Sequence, residues 1–70
     1  MTSMLATPDM FKEMMENKNY FELVEYKKDI EEKIKKYEEN NTAPDDYYLN
    51  LHKEYLNIVE EELSKKTNNN

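Results

Sequence analysis

Two stretches of nearly equal length, Tyr20 to Glu39 and Tyr47 to Lys66, carry apolar residues three and four apart and are otherwise filled with Glu and Lys. Between them lies Asn40-Asn41-Thr42-Ala43-Pro44-Asp45. Apolar residues at this period form a stripe along one side of a helix, and such a stripe needs a partner surface to leave water. A short connection makes two consecutive helices antiparallel neighbours. The pattern therefore predicts an all-α fold built on an antiparallel helical hairpin. About twenty residues of helix span roughly 30 Å, so the two arms match in length.

A third, shorter helix precedes them. Thr7-Pro8-Asp9 reads as a helix start: an N-cap hydroxyl, a proline where its missing N–H costs nothing, and an acid at the positive end of the dipole. Its apolar face is Met10, Phe11, Met14 and Met15. So short a helix does not hold together alone in water. Packed on the open side of the hairpin, it completes a small three-helix bundle. We place the helices at about 8–17, 20–39 and 46–66, in one domain over residues 7–66. Residues 1–6 and 67–70 are expected to be disordered.

The second helix has its seam at Tyr20, Leu23, Ile30, Ile34 and Tyr37, widened by Val24 and Tyr26. Asn19 and Glu22 are spaced as a capping box. Asp29–Lys33, Glu31–Lys35 and Glu32–Lys36 stand four apart with the acid first, the better order for a helical ion pair. The third helix carries Tyr48, Leu51, Tyr55 and Ile58, with a second line at Leu49, Leu56, Val59 and Leu63. That stripe is broad enough to meet two surfaces. The chain has no Gly, so a turn needing positive φ falls to Asn, and Asn40-Asn41 stands where the elbow is expected.

Composition removes several functions. The net charge is −6 and there is no Arg, the wrong sign and the wrong side chain for gripping phosphates or reading bases. Apolar runs never exceed three residues, far short of a membrane span or a secretory leader. We read the chain as intracellular. His52 is the only histidine, and no Glu-x-x-His pair or Gly-bearing calcium loop accompanies it. Acidic runs such as Glu60-Glu61-Glu62 are read as solvated surface. With no Cys and no serine–histidine–acid set, we expect no enzyme, no metal and no cofactor.

The six tyrosines are the most suggestive residues. A tyrosine ring buries area while its hydroxyl stays satisfied, which suits protein contacts. Tyr20, Tyr48 and Tyr55 are assigned to the hairpin core, and Tyr26 and Tyr47 to a partner surface. Met10, Phe11 and Met14 of the first helix, together with Leu49 and Leu56, complete the candidate contact set.

Lys18-Asn19-Tyr20-Phe21-Glu22-Leu23, Ile30-Glu31-Glu32-Lys33-Ile34 and Asp46-Tyr47-Tyr48, with Leu51 following, resemble the helical middle region of the Cactin family. The likeness covers roughly residues 18 to 56. It implies a nuclear, splicing-associated scaffold without catalysis. Independently of it, the residues predict a protein-binding module, an adaptor, inhibitor or scaffold segment, whose acids steer a partner with a basic surface. Two other readings follow from the same features. The broad stripe on the third helix suits a homodimer forming a structural helical bundle. The acid excess suits a nucleic-acid mimic that blocks a DNA-binding protein.

Overall fold

The computed structural model describes residues 6–40 and 47–68. Among them are three helices and no strand: α1 (Pro8–Glu16), α2 (Tyr20–Asn40) and α3 (Tyr47–Asn68). The all-α class and the three-helix count follow the sequence reading. The elbow, Asn40 apart, lies outside the described residues, as do Asp45, Asp46 and residues 1–5.

The helix starts form as their side chains dictate. Thr7 Oγ1 accepts from the Met10 N–H at 3.2 Å, with Pro8 in the first turn. At α2 the capping box is complete: the Glu22 N–H donates to Asn19 Oδ1 at 2.8 Å, and the Asn19 N–H donates to Glu22 Oε1 at 3.0 Å. Two of the N–H groups that a helix start leaves unpaired are thereby satisfied. Asn17 closes α1, its N–H donating to the Met14 carbonyl and its side-chain amide to the Glu13 carbonyl.

α3 is the central element. α2 lies along it, and α1 packs against it around Tyr55. Lys27 pairs with Glu60 at 3.8 Å and Glu38 with Lys53 at 3.7 Å. Ala6 beside Tyr55 marks the start of α1 against α3. The result is elongated, 44 × 24 × 17 Å. One end is three helices thick. The other, Ile34–Asn40 against Tyr47–Lys53, has only two.

The core is Phe11, Met15, Leu23, Ile30, Leu51, Tyr55 and Val59, with Met15, Leu23 and Val59 wholly enclosed. Leu56, Ile58, Leu63, Ile34 and Tyr26 pack around it, half-buried. Burying one such side chain contributes about 1.5–3 kcal/mol. As expected, the stripe of α3 meets two surfaces.

Several expectations are corrected. Tyr20 and Tyr48, assigned to the core, are largely exposed. Tyr20 lines an open hollow between α2 and the end of α3 instead of entering the core, and Tyr48 stacks at the surface against Tyr37 and Tyr47. Ala6 is half-buried against the core, and its carbonyl accepts the Tyr55 hydroxyl; the ordered chain thus begins before Thr7. α3 continues to Asn68, two residues beyond the expected end. Thr67 Oγ1 donates to the Leu63 carbonyl at 3.0 Å, one turn back along the helix. Among the described residues, the acid-first pairs expected on α2 are not closed. The ion pairs instead join α2 to α3, or link Lys65 to Glu62 one turn back at 3.2 Å.

Candidate functional site

Only part of the predicted contact set remains on the surface. On α1, Phe11 and Met15 stand four apart on one line of the helix and turn inward. Met10 and Met14 form the neighbouring line and turn outward, 56% and 44% exposed. A nine-residue helix offers one inward stripe, not two. Phe11 therefore leaves the set: it is 6% exposed and stacked on Tyr55 with ring centroids 4.2 Å apart. Leu49 and Leu56 are half-buried, and Leu56 packs against the core. Tyr47 stands 62% exposed at the start of α3.

The aromatic residues form a continuous ladder across all three helices. Tyr47 meets Tyr48 at 5.3 Å, Tyr48 stacks near Tyr37 at 6.4 Å, and Tyr37 meets His52 at 5.3 Å. His52 meets Tyr55 at 5.3 Å, Tyr55 stacks on Phe11, and Phe11 meets the edge of Tyr26 at 6.4 Å. Aromatic pairs of this kind contribute about 0.5–1.5 kcal/mol each beyond burial. Tyr26 and Tyr47, both predicted partner contacts, are thus the two ends of one ladder. Lys18 closes the Tyr26 end, its ammonium 5.8 Å from the ring centre.

His52 is buried, and its Nδ1 lies 2.8 Å from the Tyr48 carbonyl oxygen. A carbonyl only accepts, so Nδ1 carries the proton. That proton is thereby committed to a hydrogen bond within α3. Burial pushes the Tyr55 phenol above the ordinary tyrosine range, with Tyr47 and Glu54 adding to the shift. A neutral Tyr55 can keep donating to Ala6, which ties the entry of α1 to the middle of α3.

A cleft of about 350 Å³ opens where α1 and α2 lean apart over α3. Its floor is Phe11, Ile30, His52 and Tyr55; Met14 forms one lip, and Tyr26, Asp29 and Lys33 the other. Three predicted contacts, Phe11, Met14 and Tyr26, meet there, with Phe11 as floor. A second hollow of about 320 Å³, between α2 and the end of α3, is lined by Tyr20, Leu63 and the charged pair Lys27–Glu60. Among the described residues no group of His, Asp and Glu side chains has the arrangement to hold a metal ion, and no helix is long and apolar enough to cross a membrane.

Phe21 was missed by the sequence reading. It is 78% exposed, touches the Tyr20 ring at 5.8 Å, and sits beside exposed Val24. The signal was present: Phe21 falls out of phase with the Leu23–Ile30 seam, so a helix that buries Leu23 must point Phe21 to water. One further anomaly is Glu62, only 4% exposed, whose carboxylate accepts from Lys65. That contact, reinforced by Glu62's charge, raises the Lys65 ammonium above its ordinary range.

No family model, curated protein or solved structure matches the chain.

Proposed function

We propose that the chain is an antiparallel helical hairpin braced by α1, serving as a protein-binding module without catalysis: an adaptor, inhibitor or scaffold segment. The opposed order of the α2–α3 ion pairs supports the hairpin. The cleft carries the binding reading. It places exposed Met14 and half-buried Tyr26 across an apolar floor on an otherwise charged protein. Apolar anchors set in a charged rim are the usual anatomy of a protein contact.

Affinity capture from the native source, with captured proteins identified by mass spectrometry, tests this. Wild-type protein should retain a specific partner, and the Met14→Asp/Tyr26→Ala double variant should lose it while keeping its helical content. Capture undiminished in that variant would overturn the reading. Under the Cactin likeness the partner would be a nuclear splicing protein, and capture of cytoplasmic proteins alone removes that setting.

Self-association is the second reading, favoured by the Tyr20–Phe21–Val24 patch on the outer side of α2. Contiguous exposed apolar residues mark contact surfaces more reliably than scattered ones. Sedimentation at rising concentration decides it. A strict monomer removes this reading, whereas a dimer dissolved by Phe21→Ser supports it.

A further inference from the structure

We infer that Lys65 is a modification site whose acylation strips buried Glu62 of its cation and loosens the end of α3.

The argument rests on how the ion pairs of the described residues differ. In Lys27–Glu60 and Glu38–Lys53 both partners reach water, and pairs of that kind contribute little. In Lys65–Glu62 the acid side chain is 5% exposed and the lysine 61%. Every other described Asp and Glu is exposed. Glu62 follows Tyr55 and Val59 along the buried line of α3, so its carboxylate takes a place suited to an apolar side chain. An ionised group stays enclosed only when a charge partner and hydrogen bonds compensate it. Lys65 Nζ, at 3.2 Å, donates that hydrogen bond. Among the described residues no other cation pairs with Glu62.

The asymmetry makes the pair a latch. Its amine stands in water, where a modifying enzyme reaches it, whereas the group that depends on the amine does not. Glu16, the last residue of α1, and Glu61 add to the pull of Glu62 on the Lys65 charge. Lysine also suits the last turn of a helix, where the dipole is negative. An acyl thioester supplies the chemistry. Once Nζ has given up a proton it attacks the acyl carbon; a C–N bond forms, the C–S bond breaks, and the sulfur leaves and takes up the proton. The amide product is neutral and no longer forms a salt bridge. Glu62 is then an enclosed charge without a cation, and it is relieved when the end of α3 moves it into water.

The test uses the full chain, synthesised with acetyl-lysine at position 65 or, as a control, at position 53. Carbodiimide coupling of glycine ethyl ester, located by mass spectrometry, reads how readily each carboxylate meets water. In the unmodified chain Glu62 should label more slowly than any other described acid. Acetylation at Lys65 should speed its labelling at least about tenfold, as expected for a stranded buried charge. Acetylation at Lys53 should leave it unchanged, because the partner Glu38 is already exposed. Lys65→Arg keeps the charge and should keep Glu62 slow. Labelling of Glu62 that is no faster after acetylation of Lys65, or equally faster after acetylation of Lys53, overturns the inference. Should circular dichroism show the Lys65-acetylated chain unfolded throughout, Glu62→Leu in that chain decides the cause. Recovery of helix supports the latch, and failure to recover overturns it.

Discussion

The two ends of the molecule are built from similar residues and reach different outcomes. At the three-helix end, α1 lies over α3, and Met15, Leu23 and Val59 are wholly enclosed. At the two-helix end, Ile34 and Tyr37 are half-buried, and Tyr47 and Tyr48 face water. Among the described residues there, only Leu51 and His52 are buried. Two helices share a single seam, so an aromatic away from that seam has nothing to cover it. A third helix of only nine residues supplies the missing wall. The thin end compensates with stacking: the Tyr47–Tyr48–Tyr37–His52 part of the ladder keeps rings in contact that the core cannot enclose.

That contrast makes a graded set of predictions. The largest effect belongs to Leu23→Ala at the enclosed end. Deleting a wholly buried leucine costs about 2–5 kcal/mol. A domain of this size has a net stability of about 3–5 kcal/mol. Circular dichroism at 25 °C should therefore show extensive loss of helix. Ile34→Ala, at the thin end, should cost clearly less and leave the chain folded. Equal losses would break the distinction between the ends.

Tyr55→Phe comes next, because Tyr55 joins the ends. It removes the hydroxyl that holds the Ala6 carbonyl, at a cost of about 0.5–1.5 kcal/mol. The pH dependence has a definite sign. Burial holds the proton on Tyr55 above the ordinary value of 10.0, so in strong alkali the unfolded chain ionises first. The stabilisation is complete below the unfolded pKa and is lost as pH rises through the folded one. Urea midpoints measured from pH 8 to pH 11.5 should fall in the wild type, and less steeply in Tyr55→Phe. Parallel curves would remove the role given to this hydroxyl.

The smallest effect sharpens the comparison from the other side. Tyr47→Ser, at the exposed tip of the ladder, should change stability by no more than about 0.5 kcal/mol. A larger loss in thermal unfolding would mean that the thin end depends on its stacked rings more than its exposure implies.

Much of this architecture was legible in the residues. Periodicity alone located three helices, because a stripe of apolar side chains at a spacing of three and four has one efficient way to leave water. Thr7, Asn19 and Glu22 marked two helix starts correctly, since capping is a local matter of one side chain and a few N–H groups. The contact set was less legible. Met10, Phe11, Met14 and Met15 are equally apolar in the sequence, yet two form core and two form surface, according to the rotation of α1 on α3. Tyr20 and Tyr48 depended likewise on tertiary packing, which leaves one lining a hollow and the other stacked at the surface.

The sequence by itself determined the helices, their caps and the broad apolar stripe of α3, because these follow from interactions within a few residues. The tertiary structure alone decided which lysines cross between helices and which carboxylates stay uncommitted. It alone strung seven rings into one ladder and opened a cleft beside Met14. Those outcomes depend on the separation and rotation of whole helices, set by how side chains far apart in the chain fit together.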